Sequence, residues 1–250
     1  MKFDLSGKKA VVTGASHGIG LAVVQALASV GADVIGGARS TSEALLTATP
    51  HAVEVDLATP DGPRTLVERA LAEFGGIDIL VNNVGNGVKL AQGFLDTDDD
   101  VWQRTFELNL FSAVRATRAA LPSLIERKGS IVNIGSVNSR IADPRLVHYS
   151  AAKAALTNLS KALSAEFSPL GVRVNTITPG PTRTRIWTKP EITTKLGLSE
   201  EEFIERNGLS TGTMIEPTEI AALVVLLTSG EVPSVTGSDY LIDAGMVKTL

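Results

Sequence analysis

Thr13-Gly14-Ala15-Ser16-His17-Gly18-Ile19-Gly20 directly follows the apolar run Ala10-Val11-Val12 and opens a helically patterned stretch from Ile19 to Val30. The glycines let a backbone turn sharply and come close to a ligand. The start of a helix offers unbonded N–H groups and the positive end of the peptide dipoles. Together these suit a phosphate group. A tight strand-to-helix turn with no ligand is the plain alternative. Either way, strand, glycine turn and helix form the first unit of a parallel α/β sheet.

The rest of the chain repeats that unit. Short β-branched runs lie at Asp33 to Ile35, His51 to Val55, Ile77 to Val81, Ile131 to Ile134, Val172 to Ile177 and Asp239 to Ile242. Helical periodicity marks Pro60 to Phe74, Tyr149 to Phe167 and Thr218 to Leu227. Strands that are apolar almost throughout need cover on both faces. The expected fold is a doubly wound, mostly parallel sheet with helices on both faces, of Rossmann type, in a single domain over residues 1–250. Thr188 to Thr213 interrupts the rhythm with more charge and with Leu196-Gly197-Leu198 and Asn207-Gly208. A helical substrate lid at about residues 186–213 is expected, with a surface insertion of no role as the alternative.

Composition narrows the function classes. The 23 basic and 27 acidic residues give a net charge of −4, and no basic stripe points to nucleic acid. Without cysteine there are no disulfides, thiolate metal sites or cysteine nucleophile. The N-terminus lacks a signal-like apolar stretch, and apolar runs such as Ile220 to Leu227 are too short for a bilayer. A cytoplasmic protein with no membrane partner is expected. Asp96-Thr97-Asp98-Asp99-Asp100 has no histidine beside it and suits a helix start better than a metal. No metal site is expected.

The spacing TGxxxGxG, rather than GxGxxG, resembles the short-chain dehydrogenase/reductase family in its single-domain branch of about 250 residues. The resemblance runs from Leu5 to the C-terminus and implies a dinucleotide cofactor, with Gly14, Ser16, His17, Gly18, Ile19 and Gly20 at its phosphates. An NAD site ends the second strand with an acid that accepts from the ribose 2′-OH. This chain has Ala38 there, followed by Arg39 and Ser40, and Asp33 is too early in the strand to serve. Arg39 has the donor fork of a phosphate binder, and His17 stands where NADP-preferring relatives often carry a base. NADP(H) is therefore favoured over NAD(H). The resemblance further assigns Asp56 and Leu57 to the adenine side, Asn83, Val84 and Gly85 to a wall beside the ribose and nicotinamide, and Pro179, Gly180, Thr182 and Thr184 to the nicotinamide.

Tyr149-Ser150-Ala151-Ala152-Lys153 puts a phenol and an ammonium on one helix face. A free Tyr titrates near 10, and a neighbouring cation favours its phenolate, here joined by the charge of an oxidised nicotinamide. YxxxK alone is a weak signal, but Ser136 ends a strand 13 residues earlier. By resemblance Ser136 holds the substrate oxygen, Tyr149 moves the proton, Lys153 tunes Tyr149, and Asn109 links the lysine to solvent through water. Tyr149 and Lys153 would also touch the cofactor. Ser130 lies at the wrong end of its strand, and no histidine is placed as a base for Ser136, His148 being expected on another helix face.

The reaction implied is hydride transfer between NADP(H) and a small carbonyl or alcohol substrate, such as a ketone, 3-oxoacyl thioester, sugar or steroid. Val137, Asn138, His148, Ile186 and Trp187 are candidate pocket walls. A non-catalytic NADP(H)-binding sensor would have no need of Tyr149, Ser136 and Lys153 together, and haloalcohol-cleaving relatives lose the glycine turn. The C-terminal Val235 to Gly245 resembles the family's interface segment, which implies a homo-oligomer, a dimer or homotetramer.

Overall fold

The computed structural model describes residues 3–87, 94–141, 143–184 and 199–248. Seven strands form one sheet: β1 (Lys9–Thr13), β2 (Asp33–Ala38), β3 (His51–Glu54), β4 (Ile79–Asn82), β5 (Ser130–Ile134), β6 (Arg173–Pro179) and β7 (Asp239–Ile242). Their order is β3-β2-β1-β4-β5-β6-β7, and every pairing is parallel. The chain works outward from β1 to β3, then crosses back to start β4 on the other side of β1. The doubly wound sheet expected from the sequence is the one found.

Alternation along the strands splits the core into two layers. Ala10 and Val12 join α1 (Gly18–Ser29) and the last helix of the fold on one face. Val11 lies in the opposite layer with Leu66 and Val67 of α3 (Gly62–Phe74). Leu27, Leu66, Leu124 and Ile131 are fully buried, each worth roughly 1.5–3 kcal/mol of burial. Local sequence sets the helix ends. Ser42 caps α2 (Glu43–Ala48) by accepting from Leu45 N–H at 3.2 Å, and Asp98 caps α4 (Asp99–Phe106) through Val101 N–H at 2.8 Å. The acids before Trp102 thus serve a helix start. Gly75, at φ +70°, ends α3 in the left-handed conformation that glycine tolerates.

Beyond α4 the chain passes through a π-helical turn, Glu107–Phe111, into α5 (Ser112–Arg127). Neither α2 nor α5 is marked by the sequence pattern. The first has six residues, and the second carries Pro122 inside it. Pro122 and Arg118, four residues earlier, are both exposed, so water can serve the carbonyl that proline leaves without its helical donor. Then come α6 (Val147–Phe167), α7 (Glu200–Arg206) and α8 (Pro217–Thr228). Helix α7 lies in the stretch expected to be a lid, and Ser199 with Glu202 starts it as a capping box. Among the described residues no helix is long and apolar enough to cross a membrane, and no three His, Asp or Glu gather as metal ligands.

At the amino ends of the strands, the Asp78 carboxylate accepts from Lys9 N–H at 3.0 Å, Arg127 at 3.1 Å and Lys8 Nζ at 3.3 Å. Burial alone would raise the Asp78 carboxyl. The Arg127 guanidinium, the Lys9 N–H and the Lys8 ammonium outweigh it and hold the group below its ordinary value.

Candidate active site at the carboxyl rim of the sheet

All the candidate groups on described residues except Asp56 and Leu57 gather where β1, β2, β4, β5 and β6 end. At β1, Gly14 turns with φ +68°, and a Cβ there would lie 2.9 Å from Val84 Cα. A Cβ on Gly20 would fall 2.2 Å from the Gly14 carbonyl oxygen, so α1 can start this close to the strand only with glycine. Asn83 locks the turn to β4: its Nδ2 donates to the Thr13 carbonyl at 2.9 Å and the Gly14 carbonyl at 3.1 Å. Thr13 Oγ1 in turn accepts from the N–H groups of Asn83 and Val84, at 2.9 and 3.0 Å.

His17, the residue before α1, caps no N–H with its side chain, and the first turn carries no acid. The helix start is thus left with N–H donors and a positive dipole end, which fits a phosphate. At β2, Ala38 is buried while Arg39 and Ser40 are exposed. Arg39 forms no hydrogen bond or ion pair with any described residue. Glu54, paired with Ala38 at the end of β3, is engaged by the N–H and hydroxyl of Thr41, at 3.1 and 3.2 Å. Ser42 donates to the Ser16 carbonyl at 2.8 Å and ties this loop to the glycine turn. Asp33 pairs with Lys9 at the opposite end of β2, as its early position requires. An exposed guanidinium with no described carboxylate competing for it fits a 2′-phosphate.

Two adenine-side expectations fare differently. Asp56 is exposed after β3, its carboxylate accepting from Ala58 N–H at 3.0 Å. Leu57 is buried in the core against the α3 layer, so only its backbone could face a ligand.

Tyr149 and Lys153 stand on the first two turns of α6, and Ser136 follows β5. Ser136 caps a short 3₁₀ turn through Asn138 N–H at 3.2 Å and lies close enough to Tyr149 to favour its phenolate. Lys153 is 2% exposed and donates to the Ile134 carbonyl at 2.9 Å, its Nζ lying 5.9 Å from the Tyr149 ring centroid. No carboxylate among the described residues pairs with it. Burial draws the ammonium down to about 8. Burial also pushes the Tyr149 hydroxyl above its ordinary value, only partly offset by the neighbouring Ser136 hydroxyl. The lowered phenol expected from the sequence is therefore not a property of the protein groups alone. Desolvation dominates until another positive charge arrives.

Asn109 sits in the π turn and is 1% exposed. Its amide donates to the Asn86 carbonyl at 3.1 Å and the Thr105 carbonyl at 2.9 Å, and accepts from Asn86 N–H at 3.0 Å. The side chain is thus held by the Asn86 and Thr105 backbone. That grip brings in two residues the motif reading missed. A Cβ on Gly85 would fall 2.8 Å from Asn109 Oδ1 and 3.0 Å from Lys153 Nζ, and one on Gly87 would fall 3.3 Å from the Tyr149 ring. The second glycine, Gly87, was the available signal for Asn86-Gly87.

After β6, Gly180 N–H donates to the Ile242 carbonyl at 2.7 Å, and Thr182 Oγ1 donates to the Gly180 carbonyl at 3.0 Å. Thr184 leans on the glycine turn: its Cγ2 lies 3.0 Å from where a Gly18 Cβ would be. Pro179 is the last residue of β6. His148 is fully buried and packs edge-on to Trp102 of α4, with ring centroids 6.2 Å apart, so it is an inner packing residue rather than an open pocket wall. Val137 is buried behind Ser136, and Asn138 contacts it. Ile186 and Trp187 lie outside the described residues.

Known proteins place this rim in context. A family model described as enoyl-(acyl carrier protein) reductase matches residues 14–247. A 3-oxoacyl-[acyl-carrier-protein] reductase of Vibrio cholerae is 33% identical over 249 residues, covering 97% of this chain and 98% of its own. Carbonyl reductase [NADPH] 2 of Sus scrofa is 34% identical, covering 98% of each chain. The solved structure of L-sorbose reductase from Gluconobacter frateurii, complexed with NADPH and L-sorbose, superposes with a TM-score of 0.92 at 34% identity over the whole of both chains. With its seven-stranded parallel sheet, glycine turn and YxxxK helix, this chain belongs to the short-chain dehydrogenase/reductase family of oxidoreductases.

Proposed function

We propose that the chain interconverts a small carbonyl compound and its alcohol with NADP(H), and that Tyr149 moves the proton. The observation that carries this reading is Tyr149 beside Ser136 and on one helix face with a buried Lys153. The dinucleotide, when bound, supplies or accepts the hydride. Ser136 Oγ can hold the carbonyl oxygen beside the Tyr149 hydroxyl, which then donates its proton as that oxygen gains charge. A phenol held above its ordinary value stays protonated at neutral pH, which suits reduction. The Lys153 ammonium lies close enough to stabilise the phenolate left behind. Asn109, through Asn86, keeps the backbone at Gly85 and Gly87 against both groups.

NADP(H) over NAD(H) follows from Arg39, which no described carboxylate engages, and from the absence of an acid at Ala38. The Sus scrofa relative is named for NADPH and the Gluconobacter neighbour was solved with it, which supports the same preference. That neighbour's ketose substrate makes ketoses a first choice, beside 3-oxoacyl thioesters and simple ketones. Loss of nicotinamide absorbance over such a panel, with NADPH and NADH in parallel, tests the reading. Tyr149→Phe should lower kcat by roughly 10²–10⁴-fold and leave NADPH binding within about twofold. Undiminished turnover in that variant overturns the role of Tyr149.

A further inference from the structure

Arg183 stands between Thr182 and Thr184, in the loop that leaves β6. Its N–H donates to the Ile215 carbonyl at 2.8 Å, and Ile215 N–H donates to the Pro181 carbonyl at 3.1 Å. Its guanidinium reaches two carboxylates on different elements. Nε donates to Glu216 at 2.7 Å, where α8 begins, and both η nitrogens donate to the two oxygens of Glu200, the first residue of α7. One side chain therefore joins the β6 loop, α7 and the start of α8. The other end of α7 is fastened separately: Lys248 Nζ donates to the Gly208 carbonyl at 3.0 Å and Ser210 Oγ at 2.6 Å.

An isolated exposed ion pair fixes little, because solvent screens it and two long side chains must be ordered. A planar fork facing one carboxylate squarely, with a second carboxylate on Nε, shares that ordering among three groups and sets direction as well as distance. One residue on from Arg183, Thr184 rests on Gly18 of the glycine turn, and one residue before it, Thr182 is bridged to Ile215.

We propose that Arg183 is a positioning residue that ties α7 to the Thr182–Thr184 loop, so that dinucleotide affinity depends on its ion pairs with Glu200 and Glu216. The inference rests on the dinucleotide reading above. It makes α7 a support of the cofactor loop, in addition to any part it has in substrate contact. A change at Glu200 is felt at the glycine turn, although Glu200 lies in another element.

NADPH affinity measured by nicotinamide fluorescence tests this, in wild type, Arg183→Gln, Glu200→Gln, the double variant and Arg183→Lys. Each single glutamine substitution should weaken NADPH binding about fivefold, the size of a shared exposed ion-pair network. The double variant should be no weaker than Arg183→Gln, Arg183→Lys should recover part of the loss, and kcat at saturating NADPH should stay within about twofold. Raising NaCl from low to high concentration should erode the gap between wild type and Arg183→Gln. Additive losses in the double variant, or a fall in kcat with NADPH affinity unchanged, overturn the proposal. Wild-type binding that no substitution moves overturns it while leaving the dinucleotide reading intact. A wild-type chain that binds no NADPH overturns both.

Discussion

Asp78 and Lys153 are buried ionisable side chains at opposite ends of the same parallel sheet, and the fold treats them in opposite ways. Asp78, at the amino ends, is surrounded by Lys8, Arg127 and the Lys9 N–H, and its carboxyl is held below its usual value. Lys153, at the carboxyl ends, meets a carbonyl but no described carboxylate, and burial draws it down to about 8. The first arrangement satisfies a charge and spends it on stability. The second leaves a charge under-compensated, at a free-energy cost, where a phenol and a bound molecule can use it. Buried charges that cost stability tend to mark working sites, while fully paired ones mark scaffolding.

That contrast can be broken in three ways. Lys153→Met should lower turnover by about two orders of magnitude or more. It should also reveal the cost of the buried cation. A lysine whose folded value lies near 8, below its ordinary value of 10.5, binds fewer protons than the unfolded chain between those limits. Its contribution therefore makes wild-type stability rise with pH across that window, by about 3 kcal/mol at most. Relative to wild type, Lys153→Met should be most stable near pH 7, and the Tm difference should shrink between pH 8 and 10.5. A difference that does not change with pH would break the comparison. Arg39→Asp, at the same rim, should cut the NADPH-to-NADH ratio of kcat/KM by about tenfold or more, a loss of one charge-assisted phosphate contact and a gain of repulsion. A ratio that stays put would free Arg39 of that role. Asp78→Asn should do the reverse of Lys153→Met: kcat and KM unchanged, with Tm lower by about 4–8 °C, for about 2 kcal/mol lost from a partly exposed cage. Because the Asp78 carboxyl is depressed, its contribution is present above its ordinary value and is lost as pH falls through the lower, folded one. Acid unfolding of Asp78→Asn should lack that limb.

What the sequence could disclose follows from distance along the chain. The strands and the helices α1, α3, α6 and α8 were legible because period and composition are local, and the ends were off by only a few residues. Glycine turn, Ser136, Tyr149 and Lys153 were legible because each motif carries its chemistry within a few residues. Asp78 was invisible, since its partners lie 69, 70 and 49 residues away. The Arg183 fork was hidden for the same reason, with Glu200 and Glu216 on two later helices. The burial of Lys153 was not legible either, because a motif shows a neighbouring cation but not the depth at which it lies. His148 was misplaced because its partner Trp102 sits on a helix that the acids announce only at its start.

The π turn at Glu107–Phe111 carries a consequence for how this rod can vary. A helix that closes one turn with a wider ring holds one more residue than its length requires. Such a surplus cannot be shed in part: its loss would swing everything after it by about 100° around the axis. Asn109 would leave Asn86, and Ala113, Ala116, Ala120 and Leu124 would leave the core together. The turn therefore acts as a key cut to one lock, joining the rotation of a buried helix face to the placement of a single amide.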